Sequence, residues 1–384
     1  RTINTFWHKP RAILAATRYG FPAHKITCVA IAGTKGKTST AYFLHHLLQT
    51  SGMKSALFST ATTKIGATER LNVWKMTTPS PFALQNFLKQ AVDQKCSHAV
   101  IEVSSHALEQ HRVWSIPFQV GVITNLTPDH LEYHESAEEY ILTHKKLLLS
   151  SLRVVLLNCD DVHSVFLKND PRARCISEDT ALWNDLTSSE KAWWAPFQKT
   201  NILAASAAAH ALGLSKEHIA TALQTLPTPP GRFEEVQGNK PFRIIVDYAH
   251  SPESLSYFFK NVRPLVSGAL IVVYGACGDR DAKQRPLMGT ILESYADTII
   301  LTSDDPYSED PAAIAKHVQL GIPEKTSKSI LTILDRKSAI KKALEIARPG
   351  DCVCVLGKGA EQWQIFKQTK IPWDDRRIIR DLLA

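Results

Sequence analysis

The run Gly33-Thr34-Lys35-Gly36-Lys37-Thr38 is the part of this chain whose residue types and spacing most directly imply chemistry. Two glycines let the backbone bend so that successive N–H groups approach one anion, and the start of a helix adds the positive end of its dipole. Lys37 can reach the β- and γ-phosphates of a nucleoside triphosphate, and the Thr38 hydroxyl is a hard oxygen ligand for Mg2+. The general phosphate-loop pattern G-x-x-x-x-G-K-[ST] wants a glycine where this chain has Ile31, so the loop is a shorter G-T-x-G-K-T variant. A glycine-rich turn without a ligand is the plain alternative, and the apolar strand and helix patterns on either side argue against it.

Other polar clusters stand where apolar runs end. Residues 101–106 read Ile-Glu-Val-Ser-Ser-His, and Glu102 offers a carboxylate suited to Mg2+. Residues 127–130 read Thr-Pro-Asp-His. Further along come Asp247-Tyr-Ala-His250, Gly275-Ala-Cys-Gly-Asp-Arg280, Ser303-Asp304-Asp305-Pro306-Tyr307 and Gly357-Lys-Gly-Ala-Glu361. In doubly wound sheets the carboxyl ends of the strands carry the site, so these four turns imply one shared rim.

Strands and helices must hold these clusters. Apolar runs at 26–32, 55–60, 99–103, 120–125 and 154–158 read as strands. They alternate with helix patterns at 37–50, 82–94 and 136–150. Ser80-Pro81 supplies a cap and first position for one helix, and Ser136-Ala-Glu-Glu139 a capping box for another. Such alternation predicts a mostly parallel sheet covered by helices. Pro227-Thr-Pro-Pro-Gly231 can continue neither a helix nor a central strand. Beyond it the alternation restarts, with strands at 243–247, 270–274, 298–302 and 352–356 and helices at 252–262, 311–320 and 336–347. The expected fold class is therefore α/β. A helical arm at 1–25 precedes a central phosphate-loop ATPase domain at 26–226. A proline-rich linker at 227–231 leads to a smaller, Rossmann-like domain at 232–384.

With 384 residues, 44% apolar and 21% charged, the chain can bury more than one core. No apolar run reaches the roughly 18–20 residues of a membrane helix, so no membrane insertion is expected, and no signal peptide is read ahead of the first domain. Forty-five basic and 37 acidic residues leave a charge of +8, which favours anionic ligands but is too diffuse to argue for nucleic acid. Seven scattered cysteines without a CxxC pair imply reduced thiols and a cytoplasmic location. Cys352 and Cys354, two apart on a strand, would share one face as small core residues.

Taken in order, AGTKGKTST, TTPSP, EVSSHALEQHRV, NLTPDHLEYH, NILAA, PGRFE, DYAHSPESL, GACGDRD, SDDP and GKGAE resemble the motifs of the ATP-dependent Mur ligases of peptidoglycan synthesis. The resemblance runs from about Phe21 to the C-terminus. EVSSHAL followed by QHRV resembles in particular the ligase that adds the third residue of the stem peptide. The resemblance implies that a substrate carboxylate attacks the γ-phosphate of ATP to form an acyl phosphate, which the amine of an amino acid then opens. It implies that Gly33, Thr34, Lys35, Gly36, Lys37, Thr38 and Ser39 bind ATP together with Asn201, Arg232, Asp247 and His250. Thr38, Glu102 and His130 would hold Mg2+, and Thr77, Thr78, Ser104, Gln110 and Arg112 the UDP-N-acetylmuramoyl-dipeptide. Arg280, Asp304, Asp305, Tyr307, Gly357 and Glu361 would read a free amino acid. The enzyme is expected to work as a monomer.

Three departures accompany the resemblance. The family's N-terminal uridine-gripping domain has no counterpart in residues 1–25. The family's carbamylated lysine, one turn after a tyrosine, falls at His144 after Tyr140, with Lys145 next to it. The turn that reads D-N-P-R in ligases for diaminopimelate reads Asp304-Asp305-Pro306-Tyr307 here, so the arginine that would fork onto a distal carboxylate is absent. Arg280 could then hold the α-carboxylate and Glu361 a distal ammonium, a combination that leans toward lysine or ornithine. A relative acting on folate or another peptide, and a nucleotide-binding regulator without ligase activity, are the rival readings.

Overall fold

The computed structural model describes residues 7–72, 74, 76–127, 133–134, 136–148, 153–176 and 195–384. It divides into two compact units, Arg1–Pro227 and Thr228–Ala384.

In the first unit the chain runs α1 (Lys9–Tyr19), β1 (Thr27–Ala32), α2 (Lys37–Thr50), β2 (Ser55–Phe58), β3 (Thr62–Ile65), β4 (Thr68–Leu71), α3 (Pro81–Asp93), β5 (His98–Glu102), α4 (Ser105–Glu109) and β6 (Phe118–Ile123). It continues through α5 (Ala137–Leu148), β7 (Val154–Leu157), β8 (Ala173–Cys175), α6 (Ala195–Ala211) and α7 (Lys216–Leu223). The strands form one sheet in the order β4-β3-β2-β5-β1-β6-β7-β8. From β2 to β8 all pairs are parallel, and β3 and β4 add an antiparallel edge that the apolar pattern did not announce.

β1 shows why this sheet is covered on both faces. Cys28, Ala30 and Ala32 pack with Phe58, Phe87 and Ile101 on one side, while Val29 and Ile31 pack with Phe43, Leu47 and Ile202 on the other. A strand buried on both faces carries no polar alternation, which is why it reads as a continuous apolar run. Helix starts follow local chemistry: Ser80 Oγ accepts from Ala83 N at 3.4 Å, and Ser136 Oγ from Glu139 N at 3.1 Å.

The second unit contains β9 (Glu234–Glu235), β10 (Arg243–Asp247), α8 (Pro252–Val262), β11 (Leu270–Tyr274), α9 (Gln284–Tyr295), β12 (Thr298–Leu301), α10 (Pro311–Gln319) and β13 (Ser329–Thr332). After these come α11 (Arg336–Ile346), β14 (Cys352–Leu356), the hairpin β15 (Trp363–Phe366) and β16 (Thr369–Pro372), and α12 (Asp375–Leu383). Its main sheet has the order β13-β12-β11-β14-β10-β9, parallel except for β9. The expected α/β class, with a large mostly parallel sheet and a second smaller one, is what the structure has.

The cysteines require a correction. Cys159, just past β7, is disulfide-bonded to Cys175 at the end of β8, so the thiols are not all reduced. The two strands are parallel neighbours, and only that pairing brings residues 16 apart in sequence together. Cys352 and Cys354 behave as read, with both sulfurs buried and 3.8 Å apart. Among the described residues no helix is long and apolar enough to cross a membrane.

Candidate active site

Sheet order decides which clusters meet. β1 lies between β5 and β6, all three parallel, so the loop after Ala32, the end of β5 at Glu102 and residues 124–127 after β6 share one edge. The loop at 33–36 is braced from the β6 side. Thr34 N donates to Asn125 O (2.9 Å), Lys35 N to Asn125 Oδ1 (3.1 Å), and Thr124 Oγ1 to Lys35 O (2.6 Å). Thr34 Oγ1 lies 2.8 Å from the Tyr140 hydroxyl of α5. Gly33 and Gly36 have φ of 121° and 82°; a Cβ on the first would collide with Thr124 Oγ1 and on the second with the Asn201 carboxamide. Both glycines are thus required by conformation and by space. Asn201, predicted to touch nucleotide, therefore stands against the loop, held by Gln198 Oε1 at 2.7 Å.

Lys37 opens α2 and folds back, its Nζ 2.8 Å from both Gly33 O and Thr34 O. Thr38 Oγ1, one residue on, lies 3.1 Å from each oxygen of Glu102, which is 1% exposed. Thr60, which the sequence did not single out, completes this cluster through N at 2.7 Å and Oγ1 at 2.9 Å. A buried carboxylate surrounded by hydroxyls is a hard oxygen donor set, and it fits Mg2+. His130 belongs to 128–132, outside the described residues.

The residues expected to hold a muramoyl peptide form one bonded patch beside Glu102. Thr78 Oγ1 donates to Glu102 O (2.9 Å) and accepts from Ser104 N (3.0 Å). Arg112 donates to Thr78 O at 2.7 Å and to Gln110 Oε1 at 2.6 Å, and the hydroxyls of Thr77 and Thr60 lie 3.0 Å apart. His144 is fully buried, and burial, with the Lys37 charge adding to it, brings its pKa down to about 4; Lys145 is only half-buried. Ser39 is buried at the base of the loop.

In the second unit the ends of β10, β11, β12 and β14 share an edge in the same way. Asp247 uses its oxygens on the amides of Phe233 (2.6 Å) and Ala249 (2.8 Å), and burial pushes its pKa up. It orders the turn that carries Arg232, whose guanidinium lies 4.1 Å over the Tyr248 ring. His250 is exposed and its Nδ1 lies 2.8 Å from Tyr248 O.

Lys358 is the residue the sequence reading missed. It is fully buried, with Nζ 3.1 Å from Asp304, 2.8 Å from Asp305 and 3.1 Å from Glu361. Burial opposes its charge, but the carboxylates of Asp304, Glu361 and Asp305 overcome that and raise its pKa. Its position inside Gly357-Lys-Gly at a strand end was the available signal. Gly357, with φ 108°, lets the Asp304 carboxylate approach where a side chain would clash. Tyr307 has φ 49°, and burial, then the nearby Asp305 charge, pushes its hydroxyl up to about 12.

Residues 31–192 match the Mur ligase middle domain, and residues 231–359 the Mur ligase, glutamate ligase domain. The chain is 38% identical over 400 residues to the UDP-N-acetylmuramoyl-L-alanyl-D-glutamate–2,6-diaminopimelate ligase of Geobacillus kaustophilus, covering 96% of this chain and 81% of that protein. It is 37% identical over 397 residues to the ligase of the same description from Thermosynechococcus vestitus, with 96% and 79% covered. A solved structure of a ligase of that description superposes with a TM-score of 0.64 at 27% identity, covering 97% of this chain and 82% of that one. A folylpolyglutamate synthase from Thermotoga maritima, at 17% identity and TM-score 0.65, shares the fold. With the phosphate loop inside one matched domain and Asp304, Asp305 and Lys358 inside the other, and with 38% identity over nearly its whole length, the chain belongs to the Mur ligase family of acid–amino acid ligases.

Proposed function

We propose that this protein is a cytoplasmic, ATP- and Mg2+-dependent ligase that joins a diamino acid to UDP-N-acetylmuramoyl-L-alanyl-D-glutamate during peptidoglycan precursor synthesis. The observation that carries the reading is the buried Thr38–Glu102 pair at the mouth of the phosphate loop. The relatives' descriptions supply the substrate class.

Backbone N–H groups at the start of α2 cradle the phosphates, and Lys37 exchanges its two carbonyl contacts for phosphate oxygens. Thr38 and Glu102, with His130 as a further proposed ligand, would hold Mg2+, which would supply charge neutralisation for the phosphates. The glutamyl carboxylate, oriented by the patch around Thr78 and Arg112, attacks the γ-phosphorus, and ADP leaves. The amino acid's free amine then attacks the acyl carbon, a proton is lost from nitrogen, and inorganic phosphate departs. The protein's part is positioning and charge neutralisation.

The relatives are described as adding diaminopimelate. In this chain three carboxylates face one buried ammonium and a neutral Tyr307, and this charge balance favours a substrate whose distal group is an ammonium alone, lysine or ornithine. The test is ADP release with UDP-N-acetylmuramoyl-L-alanyl-D-glutamate and a panel of amino acids, with product mass as the readout and Lys37→Ala as the control. ADP release should require both substrates. Release without either one, or none with any amino acid, would refute the reading.

A further inference from the structure

Arg280, at the tip of the turn after β11, is exposed, and its turn is held by a set of hydrogen bonds from neighbouring elements. The preceding residue, Asp279, is held in a left-handed conformation (φ 52°). Its N–H donates to Glu309 Oε1 at 2.6 Å, and its carboxylate accepts from Ser308 Oγ at 2.5 Å and Ser308 N at 3.4 Å. Gly278 N donates to Asp305 O at 2.8 Å, and a Cβ on Gly278 would run into Pro306 O. The turn that carries Arg280 is therefore bound along its length to the turn that carries Asp305 and Tyr307.

Glu309 is fixed in its turn. Arg285, buried in the first turn of α9, forks onto it with Nη2 at 2.6 Å from Oε1 and Nη1 at 2.7 Å from Oε2. The same guanidinium donates to Cys277 O at 3.2 Å and lies 3.2 Å from His317 Nδ1 of α10. One bidentate pair thus ties α9 and both turns together, and a paired fork is a stiff, directional link. With the cation beside it, Glu309 stays ionised down to about pH 2.

From this geometry we infer that Glu309, clamped by Arg285, is a positioning residue for amino-acid binding: it sets the Asp279 peptide, and through it the reach of Arg280 toward the α-carboxylate. The inference rests on Arg280 holding that carboxylate. Glu309 touches no substrate and acts only through Arg280.

The experiment measures steady-state kinetics of the full chain with L-lysine, L-ornithine and meso-diaminopimelate, for Arg280→Ala, Glu309→Ala, Glu309→Gln, Ser308→Ala and the double variant Arg280→Ala/Glu309→Ala. Glu309→Ala should raise the amino-acid KM about tenfold or more, in the range expected when a supporting shell is removed. The KM values for ATP and for the UDP-dipeptide should change less than about twofold. Glu309→Gln, which keeps an oxygen for the Asp279 N–H, should recover part of the loss. The double variant should be no worse than Arg280→Ala, because Glu309 works through that arginine. Ser308 is exposed, so Ser308→Ala tests the same link with little risk to folding; a rise of about threefold in amino-acid KM is expected. An unchanged amino-acid KM in Glu309→Ala and Ser308→Ala, while Arg280→Ala raises it, overturns the inference and leaves the amino-acid site standing. No effect of Arg280→Ala overturns both. A Glu309→Ala variant that raises all three KM values together, or whose loss adds to that of Arg280→Ala, shows a merely structural clamp and also overturns it.

Discussion

His144 Nδ1 lies 3.0 Å from the carbonyl oxygen of Tyr140, one turn back in α5. A carbonyl only accepts, so the ring proton sits on Nδ1 and Nε2 is left as a bare acceptor. That Nε2 is buried and has no hydrogen-bond partner among the described residues. Tyr140 in turn bonds Thr34 of the phosphate loop, so the imidazole stands one side chain away from it. An orphaned buried acceptor is costly unless a ligand or its hydration completes it.

This supports His144, rather than Lys145, at the position of the family's carbamylated lysine. Activity of the protein should then be independent of added bicarbonate, whereas His144→Lys should gain activity as bicarbonate is supplied. A wild-type enzyme that needs bicarbonate would return the role to Lys145.

Glu102→Gln keeps the shape of the Thr38–Thr60 cluster and removes its charge. The Mg2+ concentration for half-maximal activity should rise about tenfold or more. A Mg2+ titration of ADP formation checks this, and an unchanged midpoint would take Glu102 out of the metal site.

Lys358→Met leaves the buried Asp304 and Asp305, and the half-buried Glu361, close together without their cation. Removing one partner of a buried charge group costs about 3–5 kcal/mol. Urea unfolding at neutral pH should show the loss, and an unchanged midpoint would mean that the cluster adds nothing to stability.

Tyr307 bears on amino-acid choice. A buried distal carboxylate without a cation costs several kcal/mol, and about 1.4 kcal/mol is a tenfold preference. Competition between lysine and meso-diaminopimelate should favour lysine, and Tyr307→Arg should move the ratio toward diaminopimelate. A wild type that prefers diaminopimelate would mean another basic group serves as the clamp.

His45, a buried residue of α2, bonds Ser55 Oγ at 2.9 Å, and burial, aided by Lys64, brings its pKa down to about 3. The unfolded chain binds this proton near pH 6.5 and the folded chain does not, so stability is lost as pH falls from there toward 3. About 2 kcal/mol should disappear between pH 7 and pH 5. His45→Gln should show a flatter decline in urea midpoints over that interval.

Local chemistry was enough to place β1, α2 and the strands and helices that follow capping or proline signals, because buried strands and capped helices leave short-range patterns. The start of α2 at Lys37 and the span of α8 at 252–262 agree with the sequence reading to the residue. The Gly-Lys-Thr spacing also implied the phosphate loop before any geometry. What the sequence by itself could not determine is which distant groups meet. Thr60 on Glu102, Lys358 among three carboxylates and Cys159 against Cys175 all follow from strand order, and a parallel neighbour can come from anywhere in the chain. The edge strands β3 and β4 escaped for a related reason: half exposed and short, they lack the apolar run that burial on both faces imposes. Tertiary structure alone decided that Asp304 and Asp305, more than fifty residues away in sequence, meet Lys358, since a buried charge is set by what packs around it.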